Sequence, residues 1–254
     1  MPETVLRRFD GKGVFITGAA SGIGRAAALR MAAEGGTIAC VDRDGDGAEA
    51  TVAAIEEAAG AAFALTCDVR DKSEVQAAMG AAVDRLGGLH ALCNVAGILR
   101  ADHSHELALE DWELVIGVNL TGTFLMCQAA IPHLLQTQGA IVNTSSTAAL
   151  GGHPWMAAYA ASKGGILSLT RTLAIEYCKQ GLRVNCVVPG AIITPLHSQF
   201  RMPRGADANL IKRIIPAVPY APPEVVGDTI TFLASDDSRY MNGADVRVDG
   251  GMMS

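Results

Sequence analysis

The stretch that decides the fold runs from Gly13 to Asp42 and reads GVFITGAASGIGRAAALRMAAEGGTIACVD. An apolar run, Gly13 to Thr17, breaks into a glycine-rich turn, Thr17-Gly18-Ala19-Ala20-Ser21-Gly22-Ile23-Gly24. A helix-period segment from Ile23 to Glu34 follows, and a second apolar run, Thr37 to Val41, ends at Asp42. Strand, turn, helix, strand is the unit of a parallel sheet, because parallel neighbours need a crossover between them. Glycine lets backbone approach a pyrophosphate closely, and a helix N-terminus offers unpaired N–H groups and a positive dipole end. The spacing G-x-x-x-G-x-G departs from the standard dinucleotide fingerprint, and a glycine-rich turn alone also fits an ordinary tight turn.

Asp42, 18 residues beyond Gly24, supplies the context. A carboxylate at the end of the second strand can accept hydrogen bonds from ribose hydroxyls and repels a 2′-phosphate. The competing reading is a strand-end Asp facing water. Arg43 follows directly and is a possible partner for a 2′-phosphate, so NAD is the expected cofactor and NADP the second choice.

The same rhythm extends outward. Phe63 to Cys67, Leu89 to Cys93, Ala140 to Thr144, Arg183 to Val188 and Asp245 to Val248 read as further strands, most of them continuously apolar. Such runs are expected where both faces of a parallel sheet are covered. Helical stretches lie between them at Gly45 to Ala59, Ser73 to Leu86, Leu109 to Leu135, Trp155 to Gln180 and Pro223 to Ala234. The expectation is one domain over residues 1–254, an α/β doubly wound parallel sheet of about seven strands with helices on both faces. The irregular stretch at about 190–222 breaks the rhythm and is expected to be a substrate loop.

Composition bounds the class. Half of the 254 residues are hydrophobic, only 5% are aromatic and 28 are glycine, which suits layered helices on a sheet. A net charge of -6 argues against a nucleic-acid partner. The longest apolar stretch, Leu114 to Leu135, is interrupted by Asn119, Gln128, Pro132 and His133, so no membrane span is expected. Arg7-Arg8 leads into FDGKG rather than an apolar signal core, and the six cysteines form no C-x-x-C pair. The expectation is a reduced, cytoplasmic protein. His103 and His105 stand two apart without a carboxylate or cysteine at zinc-ligand spacing, so no metal is expected. Ser146 lacks the G-x-S-x-G elbow of a serine hydrolase.

The chemistry-bearing stretch is Tyr159-Ala160-Ala161-Ser162-Lys163. On a helix, residues i and i+4 share a face. An ammonium about 4 Å from a phenolate contributes ~4 kcal/mol at an effective dielectric of ~20, equivalent to about three pKa units. One lysine, helped by an oxidised nicotinamide, is therefore sufficient to bring a tyrosine near 7, where a general base works.

TGAASGIG, Asp68 in CDV, Asn94-Val95-Ala96-Gly97, Asn119, Ser146, YAASK and Pro189-Gly190 occur in that order over nearly the whole chain. Together they resemble the short-chain dehydrogenase/reductase family, with its single Rossmann-type domain. The resemblance implies Tyr159 as catalytic acid/base and Lys163 as the ribose ligand that lowers the phenol pKa. Ser146, 13 residues before the tyrosine, would orient the substrate oxygen, with Ser145 as the competitor. Asn119 would hold a relay water, or else be a polar residue kinking a core helix.

The resemblance also implies a cofactor set. Gly18, Ser21, Gly22, Ile23 and Gly24 would cradle the pyrophosphate, Asp42 the ribose, and Asp68 with Val69 the adenine. Asn94, Ala96 and Gly97 belong to the motif after the fourth strand, where Val95 stands in place of the family's second Asn. Pro189, Gly190, Ile192 and Thr194 would hold the nicotinamide end. A homotetramer is likewise implied.

The expected activity is hydride exchange between NAD(H) and a small-molecule secondary alcohol or ketone. The alternatives are an NADPH-dependent 3-oxoacyl-thioester reductase and a nucleotide-binding sensor without turnover. Three stretches are expected to flank the substrate: Leu99-Arg100 with His103, Gly151 to Met156, and Leu196 to Pro219. Trp155 alternatively packs at a subunit contact, and Arg201 and Arg204 alternatively face water.

Overall fold

Seven strands form where the apolar runs predict them: β1 (Gly13–Thr17), β2 (Thr37–Asp42), β3 (Ala61–Thr66), β4 (Ala91–Asn94), β5 (Ala140–Thr144), β6 (Arg183–Pro189) and β7 (Asp245–Val248). The structure is a computed structural model describing residues 6–216 and 218–254; the parts of the expected domain and substrate loop at residues 1–5 and 217 lie outside them. Every strand pairing is parallel, in the order β3-β2-β1-β4-β5-β6-β7. The chain winds outward first through β2 and β3, then returns to β1 and winds the other way from β4. A crevice therefore opens between the carboxyl ends of β1 and β4, where the order reverses.

Helices α1 (Gly22–Ala33), α2 (Gly45–Glu57), α3 (Lys72–Leu86), α4 (Leu109–Ile116), α5 (Gly122–Thr137), α6 (Ala157–Tyr177), α7 (Pro195–Ser198) and α8 (Glu224–Ala234) complete the layers. Strand residues alternate between two cores. Val14 and Ile16 of β1 join Ala27, Met31, Val52, Ile55, Val226 and Ile230 of α1, α2 and α8. Phe15 instead joins Val75, Met79, Met126, Ala130 and Leu173 of α3, α5 and α6. Each fully buried side chain of this size contributes roughly 1.5–3 kcal/mol, which is why both faces must be covered.

Some boundaries differ from expectation, for identifiable reasons. β3 begins two residues early because Ala61 and Ala62 pair with Thr37 and Ile38. β4 begins two residues late, since the Leu89 carbonyl accepts from the Thr137 hydroxyl at 2.6 Å and leaves the ladder. The long helix expected from Leu109 runs on to Thr137 but widens into a π-turn at Gly117–Thr121. It is long and apolar enough to cross a membrane by composition, yet Val115, Met126, Cys127, Ala130 and Leu134 are buried within the fold. The helix expected from Trp155 starts at Ala157, because Trp155 has φ 66°, which no helix admits. Residues 190–222 carry α7 and a 3₁₀ turn at Ala208–Ile214, and an Ile192–Ala221 bridge ties the two ends of this strap together.

Candidate active site

The cleft of about 470 Å³ at the carboxyl ends of the strands runs from Asp42 and Asp68 past Ser146 and Tyr159 to the 190–222 strap. Its floor begins with the glycine turn after β1. Gly18 and Gly22 have φ of 72° and 53°, and a Cβ on Gly18 would stand 2.8 Å from the Ala96 amide nitrogen. A Cβ on Gly24 would stand 2.1 Å from the Gly18 carbonyl oxygen, so only glycine closes this turn. Ser21 precedes α1 without a side-chain cap, which leaves its hydroxyl and the first-turn N–H groups facing the cleft.

Two residues missed by sequence reasoning hold the turn. The Thr51 hydroxyl donates to the Ala19 carbonyl at 2.8 Å, and the Thr17 hydroxyl accepts from the Val95 and Ala96 amides at 3.0 and 3.2 Å. A lone polar residue on the buried face of α2 was the available signal for Thr51. Val95, the departure from the family pattern, packs its side chain against the core.

Asp42 accepts one backbone N–H on each oxygen, from Ala20 and from Asp44, both at 3.0 Å. Each oxygen keeps a lone pair, and the side chain lines the cleft. Asp68 and Val69 line it too. The Arg70 guanidinium bonds the Asp68 carboxylate, the closest contact being 2.5 Å, and holds its pKa below the usual range.

Ser146, Tyr159 and Lys163 come together from β5 and α6. Ser146, favoured by its 13-residue offset, and its competitor Ser145 differ in their contacts: the Ser145 hydroxyl is committed to the Lys163 carbonyl at 2.8 Å. The Ser146 oxygen accepts from the Ala148 amide at 3.2 Å and stands beside the phenol. Burial pushes the Tyr159 pKa up, and the Ser146 hydroxyl works against that shift. Lys163 is not among the groups that shift the phenol. Its ammonium donates to the Thr144 carbonyl at 2.8 Å and lies 5.6 Å from the tyrosine ring centroid. Burial lowers the Lys163 pKa to about 8.

Two expected site residues stand behind the cleft rather than in it. Asn94 donates to the Asn143 side chain at 2.9 Å inside the sheet. Asn119, fully buried in the π-turn, donates to the Ile98 carbonyl and the Ser162 hydroxyl, both at 3.0 Å, and accepts from the Ile98 amide at 2.8 Å. Both of its amide protons are committed, which leaves only oxygens for a relay water.

On the substrate side, Leu99, His153, Met156, Leu196, His197 and Phe200 line the cleft as expected. Arg100 pairs instead with Asp111 at 3.3 Å, the His103 ring meets the Arg204 carbonyl at 3.2 Å, and Trp155 is buried outside the cleft lining. Ile211, Ile214, Ile215, Tyr220 and Met252 complete the walls. Met252 carried no signal in the sequence, being far from every motif.

The donor set fits a dinucleotide. Free N–H groups at α1 suit a pyrophosphate, and the Asp42 lone pairs suit a ribose. Gly97, Pro189, Gly190, Ile192 and Thr194 line the end near Tyr159. Thr144, also lining that end, has a buried hydroxyl with no partner among the described residues.

A family model described as Enoyl-(Acyl carrier protein) reductase matches residues 18–253. D-threitol dehydrogenase of Mycolicibacterium smegmatis is 42% identical over 96% of this chain and 94% of its own. 3beta-hydroxysteroid dehydrogenase 1 of Eggerthella lenta is 43% identical over 95% and 94%. A crystal structure of a short chain dehydrogenase from Mycobacterium paratuberculosis bound to NAD superposes with TM-score 0.89 at 32% identity, covering 96% and 98% of the two chains. With a glycine turn, a strand-end carboxylate and a Ser–Tyr–Lys group in one cleft, the chain belongs to the short-chain dehydrogenase/reductase family and is a nicotinamide-dependent oxidoreductase acting on CH–OH groups.

Proposed function

We propose that this chain oxidises a secondary alcohol, or reduces the ketone, with NAD(H), and that Tyr159 exchanges the proton. The observation that carries it is the Tyr159 phenol beside Ser146, in the cleft that Asp42 also lines. The nicotinamide supplies or accepts the hydride when bound. Ser146 orients the substrate oxygen; Tyr159 takes its proton in oxidation and returns it in reduction. Lys163, fixed on Thr144, presents its ammonium to the ribose end and to the phenolate that forms. Gly18, Ser21, Gly22, Ile23 and Gly24 hold the pyrophosphate, Asp68 and Val69 the adenine, and Ala96, Gly97, Pro189, Gly190, Ile192 and Thr194 the nicotinamide end. Asn119 works by pinning Ile98.

Asp42 favours NAD because its charge repels a 2′-phosphate; Arg43, also lining the cleft, is the feature that favours an NADPH-dependent reductase. A sensor without turnover has no need of the full Ser–Tyr–Lys set. The assembly we propose is a homotetramer in the cytoplasm. Its six thiols are all free, and α4–α6 expose Trp112, Phe124 and Ile175.

The test is a panel of secondary alcohols with NAD+, followed by NADH absorbance, with NADH and NADPH titrated in parallel. NADH binds more tightly, and Tyr159→Phe lowers kcat by about 10²–10⁴-fold while still binding NADH. Unchanged turnover in that variant rules out Tyr159 as the proton exchanger.

A further inference from the structure

Beyond Ser146 and Tyr159 the cleft has a chemical bias that the catalytic groups do not explain. Its walls are Leu99, Met156, Leu196, Phe200, Ile214 and Met252, contributed by five separate segments of the chain. The charged residues lining the cleft, among those described, are Asp42, Arg43, Asp68 and Lys163. The first three stand at or just beyond the ends of β2 and β3, on the adenosine side, and Lys163 is fixed on Thr144. The substrate end therefore has no free charge.

The nearby cations are turned elsewhere. Arg201 donates to the carbonyls of Ser198 and Phe200 at 2.6 and 2.8 Å, and Arg100 pairs with Asp111. His153 is held between the Gly151 carbonyl, 3.1 Å from Nδ1, and the Thr147 hydroxyl, 3.3 Å from Nε2. That arrangement assigns the proton to Nδ1 and makes Nε2 an acceptor, and burial keeps the ring neutral by lowering its pKa. His197 packs edge-on against Tyr220 at 4.8 Å.

The far wall is a built part. Asp249 accepts the amides of Gly251 and Met253 at 3.0 and 3.1 Å, and Arg247 donates to the Met253 carbonyl at 2.9 Å. This turn sets Met252 into the cleft, with its sulfur 3.8 Å from the Thr147 hydroxyl.

We infer that the substrate end takes an uncharged, rigid alicyclic secondary alcohol or its ketone, held by hydrocarbon contact around one polar handle. The inference rests on the oxidoreductase reading for the handle and on the walls for the skeleton. An open-chain polyol would bury hydroxyls against Leu, Ile, Met and Phe, with only the few polar groups of His153, His197 and Tyr220 to meet them, which is costly. An anionic substrate would find no cation to offset its desolvation. A fused ring has no rotors to freeze, so its apolar contact is not offset by lost entropy.

The experiment measures dead-end complexes of the full chain with NADH, where an alcohol binds but cannot react, by cofactor fluorescence. The probes are 2-decalol, threitol and 3-hydroxybutyrate. The expected result is 2-decalol binding about a hundredfold more tightly than either, the scale set by burying ~100 Å² more hydrocarbon. Ile214→Glu weakens 2-decalol at least about tenfold and leaves NADH affinity intact, which shows that the variant is folded. Equal or tighter binding of threitol or 3-hydroxybutyrate overturns the inference, as does unchanged 2-decalol affinity in Ile214→Glu. Selective 2-decalol binding with no NADH formed from any alcohol supports the slot and sinks the proposed NAD-linked oxidation through Tyr159. NADH formed from threitol but not from 2-decalol does the reverse.

Discussion

Lys163 is buried with one fixed bond, to the Thr144 carbonyl, and that bond changes the meaning of its spacing from Tyr159. The i, i+4 relation aligns the two Cβ atoms, but a lysine stem is long enough to carry its charge elsewhere. Burial shifts the phenol up, and Lys163 is not among the groups that oppose it. The lysine has its own pH signature. Burial lowers its pKa from 10.5 to about 8, so the folded chain releases this proton before the unfolded chain does. Between about pH 8 and 10.5 the unfolded state holds more protons, and stability from this site rises with pH, by up to ~3 kcal/mol. Below pH 8 both states are protonated and the cost of the buried charge is constant. The check is urea unfolding of the wild type and Lys163→Met at pH 7.5 and near 10: the difference between them moves in favour of the wild type at the higher pH. A pH-independent difference contradicts a buried, titrating Lys163.

Helices α1 and α8 pack on one face of the sheet through small residues, and Gly227 marks the closest approach. A Cβ there would stand 3.0 Å from the Ala26 carbonyl carbon and the Ala27 nitrogen, both backbone atoms that cannot move aside cheaply. Gly227→Ala is expected to lower unfolding stability by about 1–3 kcal/mol, although alanine is the better helix former. Chemical denaturation decides it, and a stabilised variant means the helices are free to separate. The π-turn at Gly117–Thr121 is a second element-level device. Its wider turn points Asn119 inward to meet Ile98 and Ser162, joining the segment after β4 to α6.

For the molecule as a whole, the two cores leave several large apolar side chains of the helical layer exposed. Leu109, Trp112, Phe124 and Ile175 lie on α4, α5 and α6 with relative exposures of 64, 37, 44 and 76%. Exposed apolar groups of this size on three neighbouring helices are expected to be covered by another copy of the chain. Phe124→Arg combined with Ile175→Arg should lower the mass seen by light scattering while circular dichroism stays unchanged. An unaltered mass places the subunit contact elsewhere.

The strand–turn–helix order, the glycine turn and the strand-end Asp42 were legible in the sequence because each depends on local chemistry, and the Ser146–Tyr159–Lys163 set through a resemblance that spans the chain. Apolar runs report burial on both faces, glycine reports a turn no other residue can make, and a strand end places the next residue at the crevice. What the sequence left open depended on where side-chain tips go. Ser145 and Ser146 are adjacent, and only the packing of α6 against β5 commits one of them to the Lys163 carbonyl. Asn94 and Asn119 matched site positions by order, and only the tertiary contacts show where their side chains are held, Asn94 on Asn143 and Asn119 on Ile98. The walls of the substrate end come from Leu99, Ile214 and Met252, which lie in three separate segments of the chain, and no local pattern brings them together.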